Sequence, residues 1–203
     1  MKAILFCFCL GCYGTILGQL NEEKFLKEIE NFQKEQNEHY FNKETSPLKK
    51  KERRNFKGHH FYPVDLSYCL SAKFTLIEDV DTIIMPTSSG TEKMFVRYAR
   101  LNFDLNGQKC ELIAYQNLNV IKLEGYEKSL FVPFKDETSG TETYGGGRYL
   151  DLEIPLNDEI ILNFNLAYNP YCAYTTGWFC PLPPDENTLK VFVRAGLMTP
   201  EEH

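Results

Sequence analysis

Arg148 occupies the most demanding setting in this chain. It follows Tyr144 and the run Gly145-Gly146-Gly147, and it opens a stretch to Glu153 that alternates as a strand does. Strand parity puts Arg148 on the face shared with Leu150 and Leu152, while Tyr149, Asp151 and Glu153 point the other way. A guanidinium on an apolar face must meet a carboxylate or an anionic ligand. Asp136 and Glu142, just upstream, suit either case. Each is a partner for an internal ion pair, and each is a candidate catalytic proton acceptor if chemistry occurs. In the ligand case Arg148 anchors a carboxylate or phosphate group, and Tyr144 orients it.

Amides crowd the same part of the chain. Ile160, Leu162 and Phe164 share one strand face, so Asn163 and Asn165 sit together on the other. Asn169-Pro170 opens a turn, and Asn187 closes a Pro-rich segment that begins at Cys180. Side-chain amides can cross-link loops or hold a ligand. The expected pocket is therefore lined by Glu142, Tyr144, Arg148, Asn165, Asn169 and Asn187 and takes a small anionic ligand, with hydrolysis as its chemistry if it has one. The other reading, of a different class, is a structural or interaction domain in which these groups satisfy one another and lock the loops. Trp178 and Phe179 can wall a pocket, although packing over the core is their commoner use.

The triple glycine is not a nucleotide loop, because no Gly-Lys-Ser/Thr ends it and a strand pattern follows it. Glycines leading into a strand instead allow a sharp bend or a close approach. His59-His60 is a weak candidate general base. Lys49 to Arg54 reads as a solvated helix face, with Glu52 among its cations.

The elements that must position these residues come in two blocks. Asn21 is placed to cap a helix from Glu22 to about Phe41, with Phe25, Ile29 and Phe32 as its apolar stripe. Ser46-Pro47 reads as a second helix start. From Tyr68 onward the pattern alternates. Runs on either side of Asn106-Gly107 predict a hairpin, because a type I′ turn needs positive φ at both central residues. Further strands are expected at Lys73–Glu78, Leu130–Phe134, Tyr149–Ile154, Glu159–Asn165 and Leu189–Arg194. No long helix lies among them to cross between parallel strands. The fold class is mainly β: an antiparallel sandwich or partly closed barrel with one or two N-terminal helices packed on it. Residues 19–58 form the helical segment and 59–203 a single β-rich domain.

Met1-Lys2, an apolar run from Ala3 to Leu17, and Gly18-Gln19 fit a signal peptide over residues 1–18. Export to the periplasm or cell surface is expected. Cys12 offers a second route as an acylated lipoprotein cysteine, although Cys9 stands where a lipobox prefers leucine. Loss of Lys2 with the leader takes the formal charge from −6 to −7. An acidic exported domain has little pull toward nucleic acid, and no second apolar run is long enough to span a membrane.

The leader also removes three of the seven cysteines, leaving Cys69, Cys110, Cys172 and Cys180. In an oxidising compartment four cysteines read as two disulfides, with three connectivities open. Cys172–Cys180 is favoured, across a short loop containing Gly177. Its closure is worth about 2.5 kcal/mol, and Cys69–Cys110 about 4 kcal/mol, on a chain-entropy basis. The spacing of Cys172 and Cys180 is wider than a zinc knuckle and no histidine is near, so neither metal nor cofactor is expected.

The run Tyr144-Gly-Gly-Gly-Arg-Tyr-Leu-Asp151 resembles a bacterial family catalogued as domain of unknown function 1684. Asn163-Phe-Asn165, Asn169-Pro-Tyr-Cys172 and Cys180-Pro-Leu-Pro-Pro184 to Asn187 extend the resemblance, as do Ser46-Pro47-Leu48 and Phe56-Lys57-Gly58. It covers nearly the whole mature chain. It implies no activity and no catalytic residues. The leader resembles those of exported Bacteroidetes proteins. Cys69 and Cys110 fall outside the shared pattern.

Overall fold

The computed structural model describes residues 12–78 and 82–200. Its centre is an antiparallel sheet of seven strands among the described residues: β1 Cys69–Leu76, β2 Thr82–Pro86, β3 Glu92–Leu105, β4 Gln108–Asn117, β5 Ser129–Phe134, β6 Arg148–Glu153 and β7 Glu159–Asn163. Their order is β6-β5-β4-β3-β1-β7, with β2 paired to β3 beside this path. β6 and β7 are successive in sequence yet lie at opposite ends of that order, so the sheet curls into a half-barrel. The curl closes where Tyr149 and Tyr168 exchange backbone N–H···O bonds of 2.9 and 3.0 Å. The mainly β, partly closed barrel expected from the alternating pattern is the fold observed.

β3 and β4 meet at Asn106-Gly107, whose φ values of 54° and 81° are those of the predicted turn. Alternation then sorts their side chains. Leu101, Leu105, Leu112 and Ala114 enter the concave core with Val132, Leu150, Leu162 and Phe164. Each such aliphatic or aromatic side chain taken from water contributes roughly 1.5–3 kcal/mol. Phe95, Ile113 and Tyr115 point to the opposite face, where with Met85, Ile83 and Phe131 they form a second, smaller cluster.

β4 and β5 pair at Tyr115 and Phe131. Near that pairing Asn187 bridges the two strands. Its side chain accepts from the Ile113 N–H at 2.7 Å and donates to the carbonyls of Ile113 and Pro133 at 2.9 and 2.7 Å. An amide reproduces a peptide's donor and acceptor, which is why it can stand in for a ladder residue.

Two helices precede the sheet, α1 Cys12–Phe41 and α2 Lys50–Asn55. Ile29 is fully buried, with Phe25 and Phe32 half-buried on the same stripe, as the spacing predicted. Tyr40 packs with Leu48 and Phe56 beneath Tyr171 and Tyr174. Several expectations need correction. Asn21 lies inside α1 rather than capping it, because the residues before it continue the helix. Ser46-Pro47 does not start α2. Ser46 Oγ instead donates to the Tyr40 carbonyl at 2.7 Å and accepts from Leu48 N–H, tying down the turn after α1. Leu189–Arg194 forms no strand, since its carbonyls and amides serve side chains described below. Asn165 belongs to a short 3₁₀ turn after β7 rather than to the strand, and β2 was not anticipated. Cys172 and Cys180 form a disulfide, whereas Cys69 and Cys110 are free thiols on β1 and β4. These two strands are separated by β3, and Cys110 pairs in register with Phe103. Residues 1–11 of the expected leader lie outside the described residues. Among those described, no helix is long and apolar enough to cross a membrane.

Candidate functional site

Arg148 is buried on the core side of β6 and its charge is taken up internally. Its Nη2 donates to Asp136 Oδ1 at 3.2 Å and to the Val193 carbonyl at 2.8 Å. Its Nη1 donates to the carbonyls of Ala195 and Leu197. Phe134 lies 5.3 Å from the guanidinium carbon. Burial pushes the Arg148 pKa down, and Asp136 pulls it back up. Asp136 Oδ2 in turn accepts from Val193 N–H and Thr138 Oγ, both at 2.8 Å, and from Thr138 N–H at 3.2 Å. The irregular segment 193–197 is thus laced to the barrel by one ion pair. Gly147 makes this approach feasible. Its φ is +88°, and a Cβ there would lie 2.6 Å from Pro183 Cγ and 2.7 Å from the Phe134 carbonyl.

The other residues expected around Arg148 are placed as follows. Glu142 forms a forked pair with Arg194, with contacts of 2.8 Å to each oxygen, and accepts from Tyr62 Oη at 2.9 Å. The Arg194 guanidinium, and then the Tyr62 hydroxyl, hold its carboxyl down at about 2. Tyr144 is half-buried and reaches toward the Cys172 carbonyl. Asn165 ties the turn after β7 to the backbone of Asp65. Asn169 donates to Tyr174 Oη at 3.0 Å and to the Met198 carbonyl at 2.8 Å. Arg148 and Asp136 meet directly, while the amides serve three separate junctions.

Open space lies on the opposite face. A cleft of about 850 Å³ runs over the β3–β5–β6 surface, lined by Thr91 to Lys93, by Val120 and by residues of the Tyr168–Pro181 segment. Phe95 and Phe131 of the second apolar cluster form its floor. Phe131 stacks on Phe95 at 5.5 Å and meets Tyr149 edge-on at 4.8 Å. Its wall is the disulfide loop, where Trp178 and Phe179 remain 40% and 51% exposed. The loop is held close because Tyr149 Oη donates to the Pro181 carbonyl, and the disulfide fixes its two ends.

Asp151 stands in this cleft beside those rings. Tyr168 Oη donates to its Oδ2 at 2.7 Å, and among the described residues its Oδ1 has no hydrogen-bond partner. The carboxylate keeps contact with water through the mouth, yet protein crowds it from the remaining sides. That desolvation pushes its pKa up, against the opposing pull of the Tyr168 hydrogen bond. Asn169, buried in the wall, has an Oδ1 that also accepts no bond.

Asp151, Tyr168 and Tyr171 were not singled out from the sequence. Parity had already turned Asp151 away from the core beside Tyr149. The dense aromatic spacing of residues 164–179 was the available signal for the wall. No group of three or more His, Cys, Asp or Glu residues among the described positions is arranged to hold a metal.

A curled antiparallel half-barrel with an aromatic cleft on its outer face defines the class of protein. Within that class, the chain belongs to the DUF1684 family, described as a protein of unknown function, whose family model matches residues 54–198. It is similar to an uncharacterised protein of Haloarcula marismortui known from a solution NMR structure. The two are 35% identical, with a TM-score of 0.70, over 90% of this chain and 98% of that one. No curated protein matches the chain.

Proposed function

We propose that this is an exported small-molecule-binding domain whose ligand lies in the cleft between the β5–β6 surface and the disulfide loop. One observation carries this reading: the cleft has about 850 Å³ and is walled by rings that stay exposed. That volume falls within the roughly 300–1,000 Å³ usual for small-molecule sites, which are likewise mostly apolar with a few polar groups. Exposed Trp and Phe on a covalently tethered loop cost free energy in water unless something covers them. The disulfide favours an oxidising compartment, in keeping with the leader expected from the sequence. An anionic ligand at Arg148 would have to displace Asp136 and three carbonyls. The Arg148 network therefore serves to lock the 193–197 segment, and the ligand is assigned to the cleft.

Trp178 is the chain's single tryptophan, so its emission reports on the cleft wall alone. Titration with the uncharged dye N-phenylnaphthylamine is expected to give saturable one-to-one binding with a change in Trp178 emission. Phe179→Ala, at a half-exposed position, should weaken dye binding several-fold without moving the melting temperature. Absence of saturable binding, or binding indifferent to Phe179, would remove the cleft from consideration.

A further inference from the structure

We infer that the Asp151 end of the cleft is a cage for a small organic ammonium ion, with Asp151 as counter-charge and Tyr149, Tyr168, Tyr171 and Trp178 as its walls. This deepens the cleft reading and rests on it. The first support is the arrangement of the rings. Tyr149 meets Tyr168 at 5.7 Å and 89°, and Tyr171 meets Trp178 at 4.7 Å and 61°. An aromatic face carries negative quadrupole density, so a cleft lined by several such rings favours a positive charge. Asp151 lies two residues beyond Tyr149 on the same face of β6 and accepts from Tyr168 Oη at 2.7 Å, which places the carboxylate beside both rings.

The second support is an imbalance of hydrogen-bonding capacity. Asn169 Oδ1 has no donor among the described residues, and Asp151 Oδ1, on an exposed residue, is left to solvent. The nearby hydroxyl protons are already committed: Tyr168 to Asp151, and Tyr149 to the Pro181 carbonyl. A site with spare acceptors and spent donors favours a ligand that brings donors or positive charge. The third support is the charge of the lining. Lys93 and Glu92 are the other charged residues of the lining, and among the described residues no Lys or Arg pairs with Asp151. That leaves one uncompensated negative charge among aromatic faces, in a chain of net charge −6. The head of the ligand would sit against Asp151, and an apolar body would lie along Phe131 and Phe95. Protonating Asp151 removes the counter-charge, so binding should weaken as pH falls through its raised pKa.

The probes are choline and dimethylbutanol, its uncharged carbon isostere, each titrated against Trp178 emission. Choline is expected to bind saturably and dimethylbutanol at least ten-fold more weakly. Asp151→Asn should weaken choline at least ten-fold and N-phenylnaphthylamine far less. Equal binding of the two isosteres overturns the cage. So does an Asp151→Asn protein that keeps its choline affinity, or a cleft that takes the dye but not choline. Those outcomes leave the cleft reading standing, whereas failure of the dye itself removes both. Co-sedimentation with phosphatidylcholine vesicles without response to free choline would overturn the small-ligand assignment in favour of a lipid headgroup.

Discussion

Two polar regions share the six residues of β6 and have opposite characters. On the inner face Arg148 is enclosed, and its Nη groups donate to one carboxylate and three carbonyls. On the outer face, three residues on, Asp151 has one partner, a free oxygen and an open cleft of about 850 Å³ beside it. The enclosed cluster contains more unusual residues and is the more conspicuous of the two in the sequence. The comparison teaches that polarity and glycine density identify where a chain is constrained, whereas spare hydrogen-bonding capacity next to space identifies where a ligand can go. His59 shows that both conditions are needed. Its ring nitrogens make no hydrogen bond, but the adjoining void is only about 10 Å³, room for a single water at most.

The largest effects are expected at the enclosed end. Arg148→Met or Asp136→Asn leaves the other charge buried without its partner, and removing one member of a buried pair typically costs about 3–5 kcal/mol. For a domain of this size that corresponds to roughly 10 °C or more in melting temperature. Chemical and thermal denaturation of each single variant and of the pair measure it. The double variant should lose less than the sum of the singles, because neither charge is left alone. A melting temperature within a few degrees of the parent for Arg148→Met would show the guanidinium free to serve a ligand, and the two regions would no longer contrast.

An effect of intermediate size is expected at His59. Its ring is packed edge-on against Tyr40, Phe56, Phe61 and Tyr174. Burial lowers its pKa from 6.5 to about 4; nearby His39 and His60 push the same way, while the Gln36 backbone opposes them. With the folded pKa below the unfolded one, the unfolded chain takes up the proton first. The stability that neutral His59 supports is therefore complete above about pH 6.5 and is lost as pH falls toward 4. The ring is partly accessible, so the loss is on the order of 2 kcal/mol rather than the full shift. His59→Phe should flatten denaturation midpoints between pH 6.5 and 4.5. Glu142, lowered from 4.5 to about 2, contributes its own loss chiefly below that window, as pH falls from about 4.5 toward 2. Retention of the parent's slope by the variant would assign the acid sensitivity to other groups.

What could be read in the chain divides along the same line. The Asn106-Gly107 turn, the faces of β6 and the Cys172–Cys180 loop all follow from short-range rules, because φ restrictions, side-chain alternation and loop closure act within a few residues. The pairing of Arg148 with Asp136 was also within reach, as both lie in one loop–strand unit and a buried cation needs a nearby anion. The cleft was not legible. Asp151 becomes a site only because Tyr168 to Pro181 returns from the far end of the sheet to cover it, and that return depends on curl and strand order. Leu189–Arg194 alternates well enough for a strand, but Val193 supplies its carbonyl to Arg148 and its N–H to Asp136. Local propensity lost there to a tertiary ion pair.

The smallest effect is the sharpest test of the contrast, because it repeats the Asp136→Asn chemistry on the outer face. In Asp151→Asn the amide oxygen can still accept from Tyr168 Oη, and the position faces the cleft mouth, so stability should move by no more than about 0.5 kcal/mol. The sign is also set. The folded pKa of Asp151 is raised by desolvation, so the folded state holds the proton more readily than the unfolded one. The ionised carboxylate is thus a mild burden on the fold above that pKa, and the burden disappears as pH falls through it. Asp151→Asn should accordingly be level with or slightly more stable than the parent at neutral pH, and the difference should vanish in acid. Denaturant midpoints at neutral and acidic pH, taken beside those of Asp136→Asn, decide it. A loss comparable to that of Asp136→Asn would mean that Asp151 holds the cleft wall in place, and its free oxygen would then say nothing about a ligand.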